Sequence, residues 1–342
     1  MAHAPGQTLV TVERLQSDDL LADPRTAAGT IPSLYVSMIA EVKHGARPLG
    51  LWGCYGPDHA ELMRYSELAK THDGFEAYLQ DDLPAWFMEA THQEFLISTI
   101  ADLIGDVGHV AVGAASPIPA AAALLARHRS ESQLRVSLLG SERLSPFTDG
   151  GCELFDCAAQ GRVDMFFLGG AQIDGYANIN LVGIGDYPFL VRRFPRSFGS
   201  AQLYYLVPRV ILFVPEHTRR VLVEHVDFIS AAGSSAKNIY RRGGPYALVT
   251  GRCIFRFDRN ARRFTLSSVH PGQNVDDIIK YTGFKFVVPD HVPTTTPPTP
   301  STLIALRSLV LAQLADVYPR FVNEINRDSL QIKGPTVSMD DH

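Results

Sequence analysis

A chain of 342 residues allows one large domain or two of moderate size, and 46% hydrophobic against 20% charged residues is the balance of a soluble globular enzyme. A net charge of −5 excludes a general attraction for nucleic acid or an anionic membrane. The opening "MAHAPGQTLVTVERLQSDDLL" lacks the apolar core of a signal peptide, and no run approaches the roughly 18 apolar residues a membrane span needs. The cysteines Cys54, Cys152, Cys157 and Cys253 fit no zinc spacing and read as reduced thiols in a cytoplasmic protein.

Residues 1–92 read as a mostly helical extension of unknown role, with helix-like stretches "SLYVSMIAEVKH" and "ELMRYSELAKT". Residues 93–315 read as a separate domain in which strands and helices alternate. "GHVAVGAA" is a first strand, and "SPIPAAAALLARHR" a helix with Ser116 at the N-cap and Pro117 in its first turn. "LRVSLLG" is a second strand, "CELFDCAAQG" a short helix closed by Gly161, and "RVDMFFLGG" a third strand. "RVILFVP" and "YALVTGRCIFRFD" are β-like, then "RRFTLSSVHPG" precedes a helix in "NVDDIIKYTG". Strands that are almost wholly apolar and alternate with helices predict an α/β fold, an open and largely parallel sheet with helices on both faces. "VVPDHVPTTTPPTPST" is an extended surface linker to an amphipathic helix, "LIALRSLVLAQLADV", and residues 316–342 read as a C-terminal tail.

No phosphate-binding glycine loop, nucleophile elbow or HExxH metal motif is present. His109, His225 and His270 fall at strand ends, where packing or surface roles are the simpler reading. Gly113, Gly140 and the pair Gly169–Gly170 each end a predicted strand. Ligands of open α/β sheets bind outside the carboxyl ends of the strands, and glycine lets a ligand approach the backbone there. Glycine also ends strands where nothing binds, so the pattern leaves both readings open. After the third strand, Gln172, Asp174, Asn178 and Asn180 arrive together in "GGAQIDGYANIN", either an ordinary strand exit or the lip of a small-molecule site.

Five pieces in the same order, "GHVAVGAASPIPAAAALLA", "ELFDCAAQGRVDMFFLGGAQIDGYANIN", "RRVLVEHVDFISAAG", "YALVTGRCIFRFD" and "LSSVHPGQNVDDIIKYTGFKFVVPD", resemble the β subunit of family I CoA-transferases of the glutaconate type. The similarity covers roughly residues 95 to 310. It implies an acyl-CoA thioester as substrate, no bound cofactor or metal, and a homologous α subunit completing the cleft in a heterodimer or heterotetramer, with a homo-oligomer as the other possibility. It places Gly113, Gly140, Gly169, Gly170, Gln172, Asp174, Asn178, Asn180, Ser197 and Gly199 along the substrate or CoA site. In such transferases a glutamate attacks the thioester and carries CoA as a glutamyl thioester, an exchange that keeps the acyl group activated.

The sequence departs from the transferase pattern where that glutamate should stand. "LLGSERLSPFTDG" has Gly140 at the position and Glu142 two residues later, which leaves Glu142 as the one candidate catalytic carboxylate, or else a solvated loop residue. Ala177 replaces the family's usual glycine, and "FPRSFGSAQ" is all that stands for the glycine-rich oxyanion turn. The β subunits of steroid ring-opening acyl-CoA hydrolases resemble these departures better, since they carry a G-E step after this strand, to which "GSE" is similar. That resemblance implies a catalytic glutamate on the α chain. Three readings follow: an acyl-CoA enzyme subunit that transfers CoA or hydrolyses a CoA-linked compound, a ring-opening hydrolase half, and a non-catalytic partner of an α chain. A sugar-phosphate isomerase would need a phosphate site that the sequence does not offer.

Overall fold

The structure, a computed structural model, describes residues 9–10, 54–55, 89–130, 134–194 and 198–331. The helix-like stretches expected in residues 1–92 lie outside the described residues, as does Ser197. The chain divides into two compact units, Phe95–Pro297 and a second formed by Met1–Glu94 with Pro298–His342.

The first unit carries a seven-stranded sheet. Its strands are β1 (His109–Val112), β2 (Arg135–Leu138), β3 (Met165–Leu168), β8 (Arg209–Val214), β9 (Pro245–Thr250), β10 (Cys253–Asp258) and β11 (Arg263–Val269), ordered β11-β10-β9-β8-β3-β1-β2. Two-stranded ribbons branch from it: β4 (Gln172–Ile173) with β5 (Ile179–Asn180), and β6 (Gly183–Ile184) with β7 (Arg192–Arg193). From β2 to β9 every contact is parallel, while β10 and β11 add an antiparallel edge. The parallel strands are apolar along most of their length because both faces are covered, with Arg135 and Arg209 exposed only at their starts; all four residues of β1 and of β3 are buried. "YALVTGRCIFRFD" is two strands rather than one, since Gly251 and Arg252 turn the chain back on itself.

Crossover handedness distributes the helices. The step from β1 through α2 (Pro117–Arg129) to β2 moves one way across the sheet. The steps from β2 through α3 (Gly150–Ala159) to β3, and through α4 (Ser200–Leu206) to β8, move the other way. Right-handed crossovers in opposite directions place α2 on one face and α3 and α4 on the other. Leu154 and Ala158 of α3 and Leu203 and Tyr204 of α4 share one core with Ile173, Leu222 and the phenylalanines of β10 and β11. α2 buries Pro119 to Ala126, a nearly all-alanine surface that lets its backbone lie close to the sheet. Arg129 at its end pairs with Asp102 of α1 (His92–Ile104) at 2.7 Å. Ser116 does occupy the N-cap position of α2, but its hydroxyl turns back to the Ala114 carbonyl instead of capping the helix.

α5 (Val275–Tyr281) starts where expected, with the Asn274 side chain accepting from the Asp277 amide. The linker that follows is extended but anchored: Val287 bridges Thr265, Thr294 bridges Val269, and Thr295 is buried against Ser268 and His270. In the second unit the expected helix is broken into α6 (Pro300–Ala305), a π-helical turn (Leu306–Val310) and α7 (Leu311–Leu314). Within the residues expected to form a tail, Pro319–Gln331 is a further helix, α8.

Candidate active site

The order of the strands fixes where a ligand can enter. The chain leaves β1 toward β2 and leaves β3 toward β8, so the connections diverge between β1 and β3. Divergent loops open a crevice at the carboxyl ends of those strands. Gly113 and Gly169 follow β1 and β3 there, and Gly140 follows β2 next door. Three of the glycines singled out in the sequence are therefore neighbours on one rim. Gly140 and Gly169 are exposed, and Gly113 is half-buried beside Phe166.

Backbone conformation explains several of these residues. Gly140 has φ +89° and Ala115 has φ +55°, both in the left-handed region where glycine is at ease and an alanine is strained. A β-carbon on Gly170 would lie 2.7 Å from the Ile179 side chain, and one on Gly169 3.3 Å from the Phe213 carbonyl. Gly170 thus leaves the room in which β4 and β5 fold back, and Gly169 packs closely against the neighbouring strand. Gly199, φ +34°, begins α4 with the Phe155 ring against it, leaving no room for a side chain.

Glu142 lies on the turn after β2. That turn is firmly built: the Leu138 amide donates to the Leu144 carbonyl, and the buried Ser141 hydroxyl accepts from the Leu144 amide at 3.0 Å. The side chains of Glu142 and Arg143 both point outward into solvent. Among the described residues, the turns after β1, β2 and β3 at this rim therefore present exposed backbone at Gly140 and Gly169 and the exposed carboxylate of Glu142.

The polar cluster after β3 is bound to itself. Asn180, wholly buried, donates to Gln172 Oε1 and to the Gly183 carbonyl, each at 2.7 Å, and its Oδ1 accepts from the Val182 and Gly183 amides. Gln172 Oε1 also accepts from the Asp227 amide. Asp174 Oδ1 accepts from the Tyr176 and Asn178 amides, an Asx turn, while Oδ2 accepts from Asn178 Nδ2. Asn178 Oδ1 takes the Gly233 amide. The Tyr204 hydroxyl reaches into the same turn and donates to the Ala177 carbonyl at 2.8 Å, and burial pushes its phenol well above the usual value. Gln172, Asp174, Asn178 and Asn180 thus meet one another rather than the rim, and they hold the β4–β5 ribbon against the core. Ala177 sits buried in this turn at φ +59°, the conformation that the expected glycine would adopt without strain.

A second polar group lies inside the sheet layer. His217 bridges Thr250 Oγ1 and Thr282 Oγ1 at 2.8 and 3.0 Å, and His270 bridges Thr295 Oγ1 and the Thr250 carbonyl. Desolvation, with Arg252 nearby, lowers His217 to about 4, and burial raises the adjacent Cys253 thiol to about 12. Both are inert packing elements, as is His109, buried between the Arg162 carbonyl and Ser137. His225 is exposed. A cavity of about 200 Å³ lined by Arg135, Phe147, Glu153, Asp156, Cys157 and Arg162 has its arginines at the amino ends of β2 and β3, away from the rim, and is small for a ligand site. Among the described residues no group of three or more metal-binding side chains occurs, and no helix is long and apolar enough to cross a membrane.

Residues 96–281, the segment that holds the whole sheet, match the model of the Coenzyme A transferase family, and the chain belongs to that family. It is 32% identical over 155 residues to the B-type chain of the 3-oxoadipate CoA-transferase of Pseudomonas knackmussii, covering 44% of this chain and 59% of that protein. It is 25% identical over 247 residues to the cholesterol ring-cleaving hydrolase IpdB subunit of Rhodococcus jostii, covering 65% of this chain and 93% of that one. Among solved structures, the decarboxylase AibA/AibB matches with a TM-score of 0.55 at 26% identity over 69% of this chain and 99% of its own. The chain therefore spans somewhat over half the length of the transferase relative and nearly all of the hydrolase and decarboxylase relatives.

Proposed function

We propose that this chain is the B-type half of an acyl-CoA-processing enzyme that works with a homologous A-type chain, and that its reaction is not CoA transfer through a glutamate of its own. The observation that carries this reading is the end of β2. Gly140 takes a left-handed conformation at the position expected for the transferase glutamate, and Glu142 projects into solvent. A carboxylate that is to attack a thioester needs partial burial and donors that hold its charge while keeping it reactive. Similarity along 93% of a hydrolase subunit is compatible with this reading. The role of this chain is then to supply the thioester-binding rim at Gly113, Gly140 and Gly169, where the absence of side chains lets a thioester approach the backbone, while the proton chemistry comes from the partner. Hydrolysis of a CoA-linked cyclic ketone is the specific reaction we favour.

The test is to co-purify the chain with an A-type partner, expose the pair to a panel of acyl-CoA thioesters, reduce with borohydride and map peptides by mass spectrometry. The expected result is consumption of a CoA-linked substrate with no reduced adduct on the peptide containing Glu142. An adduct there would make the enzyme a transferase with a shifted nucleophile. Absence of both binding and turnover across the panel would leave a non-catalytic partner of the A-type chain.

A further inference from the structure

The segment between β5 and α4 carries an apolar surface that the fold does not use. β6 and β7 form a hairpin whose connection exposes Tyr187 (57%), Phe189 (88%) and Val191 (88%), and Ile229 on the neighbouring loop is 53% exposed. The hairpin is held in place: the Gly185 amide donates to Asp227 Oδ2 at 2.8 Å, the Phe194 amide to the Val182 carbonyl, and the Tyr187 ring packs on Phe228 at 5.0 Å. A fixed ribbon that holds a phenylalanine and a valine almost wholly in water is costly, at about 25 cal/mol per Å² of apolar surface. Together with Tyr187 and Ile229 the apolar area is on the order of 500 Å². That is more than half of the ~800 Å² each partner contributes to a standard interface.

We infer that this hairpin is the docking surface for the A-type chain, an inference that rests on the two-chain reading above. Two observations select that occupant over a second copy. Arg192 and Arg193 are exposed on the ribbon beside the apolar tip. Against these two cations the connection carries one exposed carboxylate, Asp186, so two copies meeting hairpin on hairpin bring together an excess of positive charge, which opposes association. The hairpin also grows from the segment that ends β3: Gly183 is bound on both its amide and carbonyl by Asn180, and Asn180 is bound to Gln172, two residues past Gly170. A chain seated on the ribbon is thereby anchored to the element that shapes the rim, where the chemistry proposed above lacks its acid and base. The complementary surface is an apolar cup edged by carboxylates.

The experiment uses the full chain and an A-type chain of the same genome that itself matches the Coenzyme A transferase family. Affinity is measured by light scattering and titration for the wild type, for Phe189→Asp with Val191→Asp, and for the control Tyr240→Asp. Tyr240 is equally exposed on a different loop. The doubly substituted chain should bind at least 30-fold more weakly, the control within about two-fold, and all three should unfold at the same denaturant concentration. Amide exchange in the wild-type complex should slow across residues 183–194 and not around residue 240. If the substituted hairpin binds the A-type chain as tightly as wild type, the hairpin inference falls and the two-chain reading stands. If the wild type binds no A-type chain, both fall. If it self-associates through the hairpin instead, the surface belongs to a second copy and the inference is overturned.

Discussion

Asn180 shows how a residue that reads as a ligand contact can be wholly occupied by the fold. Its amide satisfies Gln172, Val182 and both polar groups of Gly183, all inside the protein. Replacing it with alanine strands these groups where water cannot reach, and Asn180→Ala is expected to cost about 2–3 kcal/mol in urea unfolding. Ala177 offers a sharper comparison. Ala177→Gly removes roughly 1 kcal/mol of left-handed strain but gives up a buried methyl and adds freedom to the unfolded chain, so its stability should stay within about 1 kcal/mol of wild type. Ala177→Val adds β-branching in the same conformation without space for it, and a loss of more than about 2 kcal/mol should appear in the same assay. The spacing Q-x-D-x-x-x-N-x-N identified this cluster from sequence. It could not reveal which way the side chains face, because short polar residues bond equally well to a turn and to a substrate.

At the scale of elements, the start of α1 shows a local signal that tertiary contacts extend. Thr91 and Glu94 form a reciprocal capping box, the Glu94 amide donating to Thr91 Oγ1 and the Thr91 amide to Glu94 Oε2. The same buried carboxylate takes two donors from Arg307 at 2.6 and 2.8 Å, and the Ser329 hydroxyl of α8 at 3.0 Å. Arg307 lies in the π-helical turn between α6 and α7. Removing only the cation leaves a charge stranded in the interior, so Arg307→Met should cost about 3–5 kcal/mol. Adding Glu94→Gln to that variant should restore part of the loss, because no uncompensated charge then remains; a double-mutant cycle in denaturant measures this coupling. Helix periodicity across residues 303–317 was legible, whereas the ion pair was not, since its partners are 213 residues apart.

For the whole molecule, buried histidines link stability to pH. Burial and nearby Arg252 lower His217 to about 4 in the folded chain, against an ordinary value of 6.5 when unfolded. Between these values the unfolded state binds the extra proton, so stability is full above about pH 6.5 and falls as pH drops toward 4. The contribution at stake is on the order of 3 kcal/mol. Burial also lowers His109, which acts with the same sign. Denaturant midpoints measured from pH 7.5 to 4.5 should decline, and His217→Gln should flatten that decline relative to wild type even if it lowers the plateau.

The sequence by itself determined the α/β class, the positions of the four parallel strands from β1 to β8, the glycines that end three of them, and the resemblance to the family. All of these rest on local periodicity, strand-ending residues and motif order, which the chain carries along its length. The tertiary structure alone decided that Gly113, Gly140 and Gly169 stand side by side, since strand order depends on which crossovers close on which face. It also decided that Gln172, Asp174 and Asn180 are buried after β3 while Phe189 and Val191 are turned to water. Those orientations depend on residues far away in the chain, such as Asp227, Gly233 and Tyr204, and no pattern of neighbours encodes them.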